Sequence, residues 1–339
     1  MWARARPATV RLALSTTLAV SAAAAGAQAV PFRDTPVAIT AAFGTERTLA
    51  RVTALGSAAG IPAADAQSLT EVAAAAVADD LPLFRASLER KDAALAGALV
   101  RALASLQAAG GVQAARVARA ETLTRRAADA LEAGLPGDAA RATVLGLVLT
   151  GPDGLSDTFG AAVDDGDRLG MATAWALLQR SHALWRQLQG AADEAQRQTV
   201  ESALGRLDAL VPGPASDRQP APGSGDESEN DANQVVATLG AALHASLTPD
   251  SDLAGLAATV EGLASGGCAA QDAAASQQLA VGTLLYTGYL SPTATMLAPE
   301  DDAAVQQAFA SLARSSGSRS GDCAQLSDAL SRVRAALGG

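Results

Sequence analysis

Apolar residues are abundant in this sequence but large ones are scarce, and that combination restricts its fold more than any other feature. Hydrophobic residues make up 49% of the 339 positions and aromatic residues only 3%, so a core has to be built from Ala, Leu and Val. Ala and Leu are strong helix formers, whereas the β-branched and aromatic residues that favour strands are few. The expectation is an all-α protein of antiparallel helical hairpins or bundles. Its small side chains let helices approach closely, while each buries less apolar area.

The apolar spacing agrees. Over 86–108, Leu88, Leu95, Leu99, Leu103 and Leu106 share one stripe of a 3.6-residue period, with Asp92 either capping or continuing that helix. Further helices are predicted at 112–133, 137–150, 168–189 and 192–210, then near 233–247, 250–264, 268–287, 300–314 and 323–337. Asp164, Asp165 and Asp167 precede the helix at 168, and Glu300, Asp301 and Asp302 open the one at 300. Negative charge there complements the helix dipole. Residues 273–299 hold no charge, but their Gln, Ser, Thr and Pro content suits a buried helix and loop better than a membrane span.

Residues 211–232 carry four prolines, three glycines and an acidic cluster ending at Asp231, with no large apolar side chain beyond Val211. Such a segment reads as a disordered linker. It would divide an N-terminal helical domain, 36–210, from a C-terminal one, 233–337.

The first 29 residues read as a signal peptide. Arg4, Arg6 and Arg11 form a basic start, residues 12–25 are uncharged, and Ala27-Gln28-Ala29 offers a small-x-small cleavage site. Export to the periplasm or envelope of a bacterium is therefore expected, with no stable membrane span in the mature chain. Removing the three signal arginines leaves 22 basic against 35 acidic residues, a formal charge of −13. A chain so acidic repels nucleic acid. Its two cysteines, Cys268 and Cys323, each follow a glycine-containing turn and precede a helical pattern. In an exported chain they are expected to pair, tying two helix starts across a loop of about 55 residues.

Two segments run in parallel. Leu147-Val-Leu-Thr-Gly151, a Pro/Gly break, the acids at 164–167 and a helix with Met171 and Trp175 are matched by Leu284-Leu-Tyr-Thr-Gly288, a break at Ser291-Pro292, the acids at 300–302 and a helix with Phe309. An internal duplication of an α-hairpin module is the expectation. The order across 137–185 (Gly-Asp, Ala-rich apolar helix, break, acid-capped helix with an aromatic) is similar to the extracytoplasmic helical domain that precedes bacterial high-affinity iron permeases. That resemblance implies handling of a divalent or ferric cation by acids near the break. Asp153 and Asp157 are the acids at the break itself, with Asp164, Asp165 and Asp167 as further oxygen ligands.

Signals for catalysis are missing from the pattern. The two histidines, His182 and His244, lie far apart, and neither stands in a His-x-x-x-His or Gly-x-His-x-x-Glu arrangement. No Gly-x-Ser-x-Gly elbow, Ser-x-x-Lys pair or phosphate-cradling glycine loop occurs. Trp175, Tyr286 and Tyr289 lie around the two breaks and are candidates for lining a ligand or partner groove. The sequence thus predicts an exported, non-enzymatic binding or interaction protein of the cell envelope, without a bound cofactor, whose partner is an envelope protein or transport component. The alternative is a periplasmic iron-handling accessory to a permease.

Overall fold

The structure is a computed structural model that describes residues 30–57, 66–107, 113–216, 218–314 and 319–338; the expected signal segment 1–29 lies outside them. Among the described residues there is no strand, and the helices run in this order. The N-terminal group comprises α1 (Pro31–Asp34), α2 (Pro36–Ser57), α3 (Ala66–Ala75), α4 (Leu81–Lys91), α5 (Ala93–Leu106) and α6 (Ala114–Glu132). Then come α7 (Gly137–Thr150), α8 (Leu155–Asp165), α9 (Arg168–Leu188), α10 (Glu194–Leu210) and α11 (Ser224–Leu243). The chain closes with α12 (Leu253–Ala269), α13 (Ala273–Leu285), α14 (Ser291–Leu297), α15 (Pro299–Arg314) and α16 (Ser320–Ala336). No helix among them is long and apolar enough to cross a membrane.

Asp92 ends one helix and starts the next. Its carboxylate accepts from the Leu95 amide at 2.8 Å, so the stripe predicted over 86–108 is broken into α4 and α5. Helix α2 is buried along most of its length and packs against α4, α6, α7 and α9. Around it most buried apolar side chains form one contiguous cluster that runs from Phe32 to Val333, with Ala54, Leu169 and Ala172 in a small second one. The larger cluster takes in residues from both sides of the 211–232 segment. Gln277 of α13 shows how the halves are joined: its amide donates to the Ser87 hydroxyl of α4 at 2.9 Å and to the Leu83 carbonyl.

The linker expected at 211–232 is helical from Ser224 onward. Asp226 and Glu227 sit in the first turn of α11, where they favour the helix dipole. Ser224, Ser228 and Ala232 recur every four residues and are buried. Gly225 and Gly160 let α11 and α8 nearly touch, since a Cβ on Gly225 would lie 3.1 Å from the Gly160 Cα. Composition reads those residues as too polar to order. Their small size is what allows the helices to pack.

The recurrence expected between 147–185 and 284–314 takes a different form. Helix α3 runs into a π-helical turn, Ala76–Asp80, and α13 into another, Tyr286–Leu290. Each is followed by a helix with proline at its second position, Pro82 and Pro292. A proline ring clashes with the carbonyl four residues back, here residues 78 and 288, and a widened π turn relieves that clash. Next come α5 and α15, which share the pattern Ala98-Leu-Val-Arg-Ala-Leu-Ala-Ser-Leu106 and Ala304-Val-Gln-Gln-Ala-Phe-Ala-Ser-Leu312. The same order of elements thus occurs twice, but through α3–α6 and α13–α16. The break at 151–154 is instead a packing partner of the second π turn: a Cβ on Gly288 would overlap the ring of Pro152. Gly288→Ala is expected to cost about 1–3 kcal/mol through that overlap, measured by urea denaturation. A loss below 0.3 kcal/mol, within the usual scatter of surface substitutions, would mean the two turns separate freely.

Cys268 and Cys323 form a disulfide with Cα atoms 5.9 Å apart. Cys323 is in the first turn of α16, as expected, but Cys268 lies in the last turn of α12 and not at a helix start. The glycines before it belong to the helix. A Cβ on Gly267 would come within 2.9 Å of the Ala275 carbonyl oxygen, so this residue is where α13 folds back closely on α12.

Candidate functional site

Three interruptions of helical structure converge on one face of α2. The first π turn supplies Asp80, which is fully buried. Its carboxylate lies 2.6 Å from Arg47 Nη2 and 2.7 Å from Arg51 Nη1. The 151–154 break supplies the Pro152 carbonyl, which accepts from Arg47 Nη1 at 2.9 Å, and the Asp153 carboxylate, 3.2 Å from Arg47 and 3.3 Å from Arg51. Asp153 reaches them from a left-handed backbone, φ +54°. The second π turn packs onto Pro152 through Gly288. Arg47 also stacks over the Phe43 ring at 5.3 Å. Of the acids predicted for metal, Asp153 is therefore engaged by two guanidinium groups.

Helix α8 leaves this junction with a cleft on each side. The first, about 560 Å³, is lined by Asp157 and Asp164 of α8, Asp226 and Glu229 of α11, and Asp250 of the turn before α12. Tyr289, Ser156, Thr150, Thr248 and Asn233 complete its polar wall, and no Lys, Arg or His is among the described residues that line it. The second cleft, about 590 Å³, shares Asp157 and Ala161 and adds Arg47, Arg51, Glu71, Asp165 and Asp167. Burial, together with the negative charges of Asp153 and Glu229, pushes the Asp157 carboxyl above its ordinary range, against a backbone hydrogen bond that lowers it.

The five acids predicted as ligands are thus divided between the two faces of α8. Asp164 faces the first cleft and Asp165 the second. Asp167 caps α9, accepting from the Leu169 amide at 2.9 Å. Among the described residues no group of three or more His, Cys, Asp or Glu is placed to hold a metal ion.

The aromatic candidates also separate. Tyr289 lines the acidic cleft. Tyr286 lines no groove: it is fully buried, and its hydroxyl donates to Asp302 at 2.9 Å. Thr295 and Gln306 donate to the other Asp302 oxygen at 2.8 and 2.9 Å, so this acid of the 300–302 cluster is a buried, satisfied acceptor. Trp175 is partly buried against the core and lies near Gly213 rather than at either cleft. His182 pairs with Asp208 of α10 at 3.0 Å on the surface.

A further buried group escaped the linear pattern. Glu46 of α2 and Glu132 of α6 share Arg180 of α9, which donates to Glu46 Oε1 at 2.9 Å and to Glu132 Oε1 at 3.4 Å. Burial and the adjoining Glu46 carboxylate push the Glu132 carboxyl from 4.5 up to about 8. The folded protein then keeps a proton that the unfolded chain loses. This contribution to stability is complete below pH 4.5 and falls away as pH rises toward 8. Glu132→Gln is expected to flatten that decline and to exceed the parent by about 1–2 kcal/mol at pH 8.5. Denaturant titrations at pH 5 and 8.5 test this; equal slopes in parent and variant would clear Glu132 of any part in it.

Only tertiary contact reveals Arg47, Arg51 and Asp80, which no motif marks. Asp226 and Glu229 were visible in the sequence, but as part of the expected linker. Compared with family models, with curated proteins and with solved structures, the chain matches none, and its functional reading rests on this geometry.

Proposed function

We propose that this protein is an exported, non-enzymatic helical binding protein of the bacterial cell envelope that takes its ligand into the acidic cleft beside α8. One observation carries the reading: a recess of about 560 Å³ drawn from four separate chain segments, walled by five carboxylates and, among the described residues, no basic side chain. Its volume is in the range of small-molecule sites, and its α8 wall starts from the break that Arg47 holds. Repulsion among those acids favours a cationic ligand. Export is supported by the basic start, apolar run and small-x-small site of residues 1–29. The non-enzymatic part keeps the expectation drawn from the sequence, which carries no Gly-x-Ser-x-Gly elbow, Ser-x-x-Lys pair or phosphate-cradling glycine loop.

Ala161 is exposed and lines both clefts, so Ala161→Trp fills them at little cost to the core. Native mass spectrometry of tagged protein recovered from the envelope fraction is expected to show a bound species that the Ala161→Trp variant lacks. An identical spectrum for the two proteins would reject the cleft as the binding site.

A further inference from the structure

We propose that the ligand of the acidic cleft is an extended aliphatic polyamine, a small molecule with two or more ammonium groups separated by methylene chains. This rests on the reading that the cleft is the binding site. The first argument is the spacing of charge. Asp157 and Asp164 stand seven residues apart on one face of α8. At the α-helical rise that places them about 10 Å apart. Asp226 and Glu229 occupy the facing turns of α11, and Asp250 stands on the turn before α12. Negative charge is strung along the cleft and does not converge on a point, and no three of these acids are grouped to hold a metal ion. A single metal ion needs its oxygens together. A chain carrying several charges matches a row of carboxylates.

The second argument is independent of charge. Tyr289 lines the cleft and is half-buried. Ser156 lines the same cleft, and its Oγ is buried with no partner. A buried hydroxyl oxygen left unsatisfied is costly and calls for a group to pair with it. An ammonium offers three N–H donors and no acceptor, so it satisfies this oxygen and the carboxylates around it. Between the polar points the wall is apolar, formed by Leu147, Val163, Leu247 and Pro249, which suits methylene groups. Burial and the neighbouring Asp153 and Glu229 charges push the Asp157 carboxyl above its ordinary range, and a cation bound beside it counters that push.

Isothermal titration of the purified protein with spermidine, n-butylamine, trilysine and Mg²⁺, at low and physiological salt, tests the proposal. Spermidine is expected to bind at least tenfold more tightly than n-butylamine or Mg²⁺. The Asp226→Asn/Glu229→Gln pair should lose tenfold or more, and Tyr289→Phe about threefold. Asp138→Asn, on the far end of α7, should change nothing. Mg²⁺ binding as tightly as spermidine, or full affinity in the double variant, would reduce the effect to charge screening and overturn the proposal. Tighter binding of trilysine than spermidine would overturn the small-molecule assignment. A native adduct that Ala161→Trp removes but that is not an amine would end this inference while leaving the binding role intact.

Discussion

Replacing both Cys268 and Cys323 with serine is expected to lower the free energy of unfolding by about 4 kcal/mol, the chain-entropy value for freeing a loop of 55 residues. The bond joins the end of α12 to the start of α16, the last helix described. Four buried side chains anchor that helix, Leu326, Ala329, Leu330 and Val333, so it has little apolar area to hold it unaided. A cross-link therefore matters more here than it would on a helix rich in aromatics. Urea unfolding of parent and variant, with tryptophan fluorescence and far-UV circular dichroism followed together, measures the loss. A drop below 1 kcal/mol would show that packing of α15 and α16 on α12 already restrains the loop. A transition that splits between the two probes would show that the α12–α16 layer has become a separate unit.

Arg47→Leu is expected to destabilise the protein by about 3 kcal/mol, the usual consequence of removing one partner from a buried ion pair. Arg47 is 3% exposed and holds three acceptors from two different breaks: Asp80, Asp153 and the Pro152 carbonyl. Without it Asp80 stays buried with Arg51 as its remaining cation. Arg47→Lys should recover less than half of the loss, because one ammonium cannot reproduce the planar fork that reaches all three. The Arg47→Leu/Asp80→Leu double variant should be milder than the sum of the two single ones, since no uncompensated charge is left inside. Strict additivity in that cycle would mean that the junction is held by packing rather than by charge.

Fold class was legible because composition and period agreed. Helix α7 has the predicted bounds, 137–150, and α9, α10, α15 and α16 begin and end within a few residues of expectation. Errors arose where one residue type serves two physical ends. Glycine at 266 and 267 reads as a turn, yet here it thins α12 so that α13 can close on it. Acids at 226–231 read as a solvated tether, yet they open α11 and wall a cleft. Asp153 and Asp157 were found by sequence, while Arg47 and Arg51, which set the position of Asp153, were not. Their partners lie 29 to 106 residues away, beyond any local pattern.

The Gln277 bridge bears on how the chain is made. Leu83 and Ser87 wait for a partner 194 and 190 residues further along. During synthesis at about 5–20 residues per second, the N-terminal helices exist for about 10–40 s before that amide emerges. They cannot close their final contacts until nearly the whole chain has left the ribosome. A late keystone of this kind delays completion of the tertiary structure, which is the condition that the proposed export through a channel for unfolded polypeptide would require.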